Sequence, residues 1–300
     1  MPASFSSIPP LRIAIVGGGR IGSAFAFHLA RIGRHDVTVV ARPASKRLAQ
    51  LQQAGGIMTT DGALGIATIT DRLDENIPYD LVLVTVKAYQ LPELLPALRR
   101  SAAKAIHSMF MTFDPDILKQ AVGPGRAVLG MPFVQADLDA QGRSTIVVGR
   151  RQTLTASPYW ADLFNAAGLP TRYESTMALW LRCHVPLGIA FESIAVAAQR
   201  RGRGASWGRA CTLARGVRTC FALIRSQGYT IYPGDKARLE KLPVFVVAGM
   251  LWGLSRIPSF RVLLATGEAE CAALVEAMLA SAETSPQSVN MDAIRAMKPL

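Results

Sequence analysis

The sequence has little of the chemistry that marks a disulfide-bonded or metal-binding protein. Its 300 residues include four cysteines and four histidines. No two cysteines have CxxC spacing and no histidine cluster completes a zinc pattern, so we expect reduced thiols, no metal and a cytoplasmic location. Acidic residues are also few: 33 lysines and arginines outnumber 21 aspartates and glutamates, for a net charge of +12. That excess favours anionic partners.

Uninterrupted apolar runs of membrane-spanning length are absent. The most apolar run, "LPVFVVAGMLWGL" (242–254), is shorter than the roughly 20 residues a spanning helix needs, so it predicts a buried core helix and no membrane anchor. The start, "MPASFSSIPP", has no basic segment followed by an apolar one, and residues 1–10 are expected to form a flexible tail.

The pattern of predicted secondary structure changes near residue 170. Before it, strands rich in valine and isoleucine alternate with helices, which predicts an α/β fold with a Rossmann-like, doubly wound parallel sheet over residues 11–170. "AVLGMPF" and "STIVVGR" are further strand candidates. After it, long helices are expected near 175–199, 205–227, 235–253 and 262–281, in an all-helical domain over 171–300 with a weakly structured end. The cleft between the domains is the expected ligand site.

A glycine-rich turn follows the first strand. "IAIVGGGRIGSAFA" places Gly17, Gly19 and Gly22 in GxGxxG spacing, between a strand and a helix. These glycines allow a tight turn, a close approach of pyrophosphate and close helix packing. Arg20 and Ile21 add helix N-terminal amides for the phosphates. The alternative is an ordinary strand–helix turn without a ligand.

Cations follow the second and third strands. Arg42 ends "VTVVAR", where an NAD-specific fold places an acid, and Lys46 and Arg47 lie just beyond. Cations there suit a 2′-phosphate, so we predict NADPH/NADP+ as the cofactor. Lys87 ends "LVLVTVK", at the edge of the sheet where ligands collect, and can contact cofactor or substrate. The alternatives are an ordinary surface arginine and a solvated loop lysine.

The stretch "MALWLRCHVPLGIAFES" (177–193) carries Arg182 and His184 in an otherwise apolar helix. Arginine stays protonated, so Arg182 suits an anion clamp better than a proton donor. His184 could donate a proton, but it lies about 200° around the helix from Arg182, and a buried structural histidine is the favoured interpretation. Lys87 is the other candidate proton source. Pro186 leaves the Arg182 carbonyl without its helical N–H partner.

Three stretches resemble the ketopantoate reductase (2-dehydropantoate 2-reductase) family: "RIAIVGGGRIGSAFAFHLARIGRHDVTVVAR", "DLVLVTVKAYQ" and, more loosely, "LEKLPVFVVAGMLWGLSRIPSFRVLLATGEAECAALVEAM". The resemblance implies an NADPH-binding domain, a helical domain for substrate and dimerisation, and hydride transfer to a 2-keto acid. It assigns Gly17, Gly19 and Gly22 to the phosphate turn. Arg42 falls on the 2′-phosphate arginine, and Lys87 on the lysine near the nicotinamide.

The catalytic part departs from the family pattern. The family's Asn-Gly pair is missing from "HSMFMTFDPDILKQAVG", where Thr112 or Asp114 could replace it. Arg182 falls on the catalytic lysine, and Pro186 and Ala190 fall on the two substrate-binding asparagines. Two further family positions match alternative residues: the substrate-binding glutamate matches Glu270 or Glu268, and the substrate-contacting serine matches Ser259 or Ser255.

Three functional hypotheses remain open. The first is an NADPH-dependent reductase with altered chemistry, acting on a small anionic 2-keto acid or an imine. The second is a genuine 2-dehydropantoate 2-reductase of pantothenate biosynthesis. The third is a non-catalytic NADPH-binding sensor or partner protein. The basic run "QRRGRGASWGRA" (199–210) lacks a nucleic-acid reader motif and is interpreted as a charged surface connection. No nucleic-acid partner is expected.

Overall fold

The structure is a computed structural model that describes residues 9–264 and 267–299. These residues form two compact units. The first runs to Phe110 and resumes over Asp116–Met177, and the second comprises Met111–Pro115 and the chain from Ala178 onward. The tail predicted over residues 1–10 lies outside the described residues, except for Pro9 and Pro10, which are exposed and without regular structure.

The first unit is built on an eight-stranded sheet. The strands of the unit are β1 (Arg12–Val16), β2 (Asp36–Val40), β3 (Gly56–Met58), β4 (Leu64–Ile66), β5 (Thr68–Thr70), β6 (Leu81–Val84), β7 (Ile106–Met109), β8 (Ala127–Met131), β9 (Gln135–Leu138), β10 (Ser144–Val147), β11 (Thr153–Thr155) and β12 (Thr171–Tyr173). The sheet order is β12-β11-β8-β7-β6-β1-β2-β5, and only the pairing of β8 with β11 is antiparallel. The strand order reverses between β1 and β6, as in a doubly wound fold.

Two details of the sheet differ from the sequence-based expectation. "STIVVGR" does not extend the sheet, because β10 pairs antiparallel with β9 in a separate hairpin. β12 lies beyond the predicted boundary after residue 170, yet it pairs with β11 inside the first unit.

Helices cover both faces of the sheet. They are α1 (Arg20–Phe27, continued by a π-helical turn over His28–Ile32), α2 (Lys46–Ala54), α3 (Leu91–Arg100, after a 3-10 turn over Ala88–Gln90), α4 (Asp116–Val122) and α5 (Pro158–Ala166). Successive strand residues point to opposite faces. Thus Ile13 and Ile15 pack with Phe25 in one core cluster, and Ala14 packs with Leu98 in the other.

The second unit is helical. Its helices are α6 (Met177–Arg200), α7 (Trp207–Ser226), α8 (Gly234–Lys241), α9 (Val244–Leu254), α10 (Pro258–Leu264), α11 (Glu268–Glu283) and α12 (Met291–Arg295). The single helix predicted over 235–253 is two helices. Pro243 divides them, because proline disfavours a helical conformation at the residue before it, and Leu242 is extended.

The two most apolar helices differ in burial. α6 is long and apolar enough to cross a membrane by length and composition, but 72% of its apolar window is buried, as in a core helix. α9 was predicted to be a buried core helix, and this is only half correct. Val247, Ala248 and Leu251 are buried, whereas Phe245 and Met250 are exposed.

The end of the chain is more ordered than its composition predicts. Residues Met291–Arg295 form α12, and Ile294 in this helix and Met297 just after it are fully buried. Arg209 of α7, which lies in the basic run read as a surface connection, is itself buried and donates hydrogen bonds to the carbonyls of Ala296, Met297 and Lys298. One guanidinium therefore ties the C-terminal segment to α7.

Candidate functional site

The glycine-rich turn connects β1 to α1. Gly17 has φ +115°, in the region that favours glycine, and its N–H donates to the Val40 carbonyl at 2.9 Å. A Cβ at Gly22 would lie 1.8 Å from the Gly17 carbonyl oxygen, so close packing of α1 requires a glycine there. A Cβ at Gly19 would meet no atom within 4 Å. Protein packing does not require Gly19, and the space above it is open for a ligand.

Gly19 is also the N-cap of α1, and no side chain caps the helix there. The amides of the first turn and the helix dipole therefore suit a pyrophosphate. Ile21 packs against the core of the first unit. The side chain of Arg20 forms an ion pair with Asp137 of β9 at 3.0 Å, so Arg20 reaches the β9–β10 hairpin.

Two residues that hold this turn had no predicted structural role. Thr85, directly after β6, donates its hydroxyl to the Gly17 carbonyl at 2.9 Å. The Arg47 guanidinium donates to the Gly18 carbonyl (2.7 Å), the Ser23 hydroxyl (2.8 Å) and the Gly142 carbonyl (2.6 Å). Burial lowers the pKa of Arg47. The sequence places Arg47 among the cations beyond β2 that suit a 2′-phosphate, but in the structure its guanidinium donates to acceptors of the protein.

Arg42 and Lys46 flank the end of β2 and the start of α2. Both side chains are exposed, and within the described part of the chain neither forms an ion pair or hydrogen bond. Ser45 caps α2 by accepting from Leu48 N–H and donates its hydroxyl to the Arg42 carbonyl at 2.7 Å. Because β2 pairs in parallel with β1, Arg42 and Gly17 lie at the same edge of the sheet.

Lys87 lies at that edge too. It follows β6, which pairs in parallel with β1, and its side chain is half-buried. Its N–H donates to the side chain of Gln90 at 3.1 Å, which fixes the backbone at the start of the 3-10 turn. The sheet therefore brings Gly17, Arg42 and Lys87 to one edge.

Arg182 has aromatic neighbours within the helical unit. Its guanidinium carbon lies 4.7 Å from the ring centroid of Tyr229 and 5.7 Å from that of Phe113. Phe113 belongs to the Met111–Pro115 segment, which follows β7 in the chain and carries Thr112 and Asp114. The Asp114 N–H donates to the Thr112 hydroxyl in a local turn. Arg182 thus lies beside the segment to which the family resemblance assigns the Asn-Gly pair.

His184 has different neighbours from Arg182. Its ring is buried and stacks on Trp180 at 4.5 Å. Trp180 also contacts Lys236, a buried lysine whose ammonium donates to the Trp180 carbonyl at 3.2 Å and lies 4.0 Å from the indole centroid. The sequence singled out no role for Lys236. These contacts do not bring His184 close to Arg182.

The remaining predicted residues lie on α10, α11 and the end of α9. Glu270 is half-buried in the first turn of α11, and Glu268 forms a 2.8 Å ion pair with Arg200. Ser255 is fully buried, and its hydroxyl accepts from Ala205 N–H and donates to the Trp252 carbonyl, so it has a structural role. Ser259 is exposed. Among the described residues, no group of three or more potential ligands could hold a metal ion.

Comparison with known proteins finds similarity to one family of reductases. Residues 13–157 match the family model described as ketopantoate reductase PanE/ApbA. A 2-dehydropantoate 2-reductase of Aquifex aeolicus is 26% identical over 204 residues, covering 61% of this chain and 64% of the relative. That of Vibrio cholerae is 28% identical over 197 residues, covering 60% and 62%. The matched regions therefore span less than two thirds of these relatives.

Solved structures share the fold. A PanE/ApbA family ketopantoate reductase from Ralstonia eutropha gives a TM-score of 0.73 over 95% of both chains at 20% identity. D-mandelate dehydrogenase in complex with NADH gives 0.71 over 96% of both chains at 13% identity. Both likenesses concern the chain fold, a mostly parallel sheet with helices followed by a helical region.

Proposed function

We propose that the chain is a member of the ketopantoate reductase PanE/ApbA family, whose model matches residues 13–157, and that it is an NADPH-dependent reductase acting on a 2-keto acid or a related carbonyl or imine. The observation that carries the cofactor proposal is the open space at Gly19 together with the unpaired cations Arg42 and Lys46 at the next strand end. A 2′-phosphate would provide an anionic partner for these two cations. The expected preference is therefore NADPH over NADH.

The residue proposed to hold the substrate is Arg182. When bound, NADPH supplies a hydride to the substrate carbon, and negative charge grows on the attached oxygen. A guanidinium can bind a substrate carboxylate with two parallel hydrogen bonds or stabilise that oxygen. The half-buried position of Arg182 beside Phe113 and Tyr229 strengthens its charge interactions by limiting access of water.

Arg182 cannot readily supply the proton that completes ketone reduction, because arginine stays protonated at accessible pH. We propose Lys87, which follows β6 at the cofactor edge of the sheet, as the proton source, with Glu270 contacting the substrate. A protonated imine would accept hydride without this step, and the proposed match of Arg182 to the family's catalytic lysine is the reason to include imines among the substrates.

A second candidate function is a non-catalytic NADPH-binding sensor or partner protein. It is supported by the same helix, since the resemblance matches Arg182, Pro186 and Ala190 to the family's lysine and two asparagines. A cytoplasmic location is also proposed, because α6 is packed as a core helix and the four cysteines are free thiols.

Titration calorimetry with NADPH and NADH tests the cofactor proposal first. Arg42→Ala with Lys46→Ala should weaken NADPH binding at least tenfold and leave NADH binding unchanged, whereas Arg99→Ala, an exposed cation on α3, should change neither. Failure to bind NADPH would overturn the proposal.

Turnover is then followed by the loss of NADPH absorbance with ketopantoate, other 2-keto acids and cyclic imines. Rapid reduction of ketopantoate would identify a genuine 2-dehydropantoate 2-reductase, and reduction of another keto acid or an imine would identify an altered one. Tight NADPH binding without turnover on any of them would favour the sensor.

A further inference from the structure

A surface cavity of about 540 Å³ lies in the helical unit, between α7, the end of α8 and the start of α9. α7 lines it with Trp207, Arg215 and Arg218, α8 with Lys241, and α9 with Phe245. None of these residues belongs to the site proposed above. The volume is within the range of about 300–1,000 Å³ that is typical of small-molecule sites.

The cavity has an uncompensated positive charge. Arg215, Arg218 and Lys241 line it, and no lining residue is acidic. Within the described part of the chain, none of these three side chains forms an ion pair or side-chain hydrogen bond. Glu240, the acid next to Lys241, is held by two hydrogen bonds from Arg225 on α7, at 2.5 and 2.7 Å. The nearby carboxylate is thus already neutralised by another arginine.

Like charges around one concavity repel each other and attract an anion. Arginine and lysine bind phosphate, carboxylate and sulfonate groups by charge-assisted hydrogen bonds. Three cations with no acid among them therefore favour a ligand with one or more negative charges over a neutral or cationic ligand.

The cavity also has an aromatic component. Trp207 is 48% exposed and Phe245 is 65% exposed, and both line the same cavity as the cations. Exposed aromatic rings beside cations suit a ligand with an apolar, preferably planar, body and an acidic group. Inorganic anions would satisfy the cations alone and leave both rings in water.

We propose that this cavity is a second ligand site, which binds a small organic anion with an apolar or aromatic body. The anionic group contacts Arg215, Arg218 and Lys241, and the body packs on Trp207 and Phe245. The site does not depend on the proposed cofactor site, because all its residues lie in the helical unit.

The probe is 8-anilinonaphthalene-1-sulfonate, a planar aromatic anion whose fluorescence rises when it leaves water. It is titrated onto the full chain saturated with NADPH, which keeps the probe from the proposed cofactor site. The test variant is Arg215→Gln with Arg218→Gln. The matched control is Arg201→Gln with Arg203→Gln, which removes the same charge from exposed positions outside the cavity. Thermal unfolding establishes that both variants fold.

We expect one saturable site on the unmodified chain, at least tenfold weaker binding in the test variant and unchanged binding in the control. Phe245→Ser should also weaken the probe while leaving the charge intact. Equal binding by all variants, equal loss in test and control variants, or no saturable binding would overturn the proposal. None of these results depends on catalytic activity.

Discussion

Individual glycines of the turn after β1 have separable roles. A Cβ at Gly22 would overlap the Gly17 carbonyl, whereas one at Gly19 would meet only open space. We predict that Gly22→Ala lowers the free energy of unfolding by about 1–3 kcal/mol, because the helix must shift. Gly19→Ala should change it by less than about 0.5 kcal/mol yet weaken NADPH binding at least tenfold, since its methyl group occupies the space proposed for the phosphates.

Urea unfolding gives the two stabilities, and titration with NADPH gives the affinities. Gly55→Ala is an unsuitable control because Gly55 has φ +67°. Gly125→Ala is suitable, because Gly125 also has open space and lies before β8, far along the chain from the turn. If Gly19→Ala bound NADPH as tightly as the unmodified chain, the phosphates would not lie over Gly19.

Arg47 is a second residue whose effect can be isolated. Its guanidinium joins the glycine turn to the β9–β10 hairpin through three hydrogen bonds. Arg47→Met keeps the aliphatic stem and removes the donors, so we predict a loss of about 2 kcal/mol in the free energy of unfolding and weaker NADPH binding. Lys46→Met, one residue away and exposed, should leave stability unchanged. Equal stability of the two variants would show that these hydrogen bonds contribute little.

At the scale of elements, α6 carries the residues that the family resemblance matches to catalytic positions. Its apolar residues bury it, and Arg182 interrupts them beside Tyr229. We predict that Arg182→Lys raises the turnover of 2-keto acids at least tenfold, because an ammonium can both hold and release a proton. Reduction of imines, which need no such donor, should fall or stay unchanged.

Steady-state rates on a keto acid and a cyclic imine, measured with the same protein preparations, test this prediction. Lys119→Arg is the control, since it makes the reverse exchange on an exposed position of α4. A parallel fall in both reactions for Arg182→Lys would mean that the guanidinium geometry matters more than the proton.

Elements differ in how far the sequence predicts them. β1, β2 and β6 are short segments rich in valine, isoleucine and leucine, and the glycine turn has a fixed spacing, so the local pattern is sufficient to predict them. The hairpin of β9 and β10, the short helix α12 and the exposure of Phe245 depend on contacts between residues distant in the chain. The roles of Arg47 and Arg209 had no local signal either, because an arginine that binds carbonyls looks the same in sequence as one in solvent.

At the scale of the whole molecule, the histidines have one property in common. All four are less than 10% exposed, although the chain carries a large positive charge. Burial lowers the pKa of His28 and His35, and lowers that of His107 from 6.5 to about 4. His107 is held between the Ser108 carbonyl and the Thr155 hydroxyl, at 2.9 and 2.7 Å. A carbonyl only accepts, so Nδ1 carries the proton in the neutral ring.

These shifts predict acid-sensitive folding. A histidine with a lowered pKa binds fewer protons in the folded state than in the unfolded state at mildly acidic pH. Its contribution is therefore constant above the unfolded pKa and becomes unfavourable as pH falls from about 6.5 towards 4. For His107 alone, the free energy of unfolding should fall by about 2 kcal/mol between pH 7 and pH 5, with His28 and His35 adding in the same direction.

Urea unfolding at several pH values from 7 to 5 measures this slope, and His107→Gln identifies its source. Glutamine can still donate to a carbonyl and accept from a hydroxyl, but it does not titrate. The variant should be less stable at pH 7, because it leaves part of the ring's volume unfilled, and its stability should depend less on pH.

The carboxylates with lowered pKa values, such as Asp80 and Glu75, lose their contribution only at lower pH, so they do not obscure the comparison. If His107→Gln kept the full slope, the acid sensitivity would have to come from the other buried histidines or from the repulsion among the 33 basic side chains as the acids are neutralised.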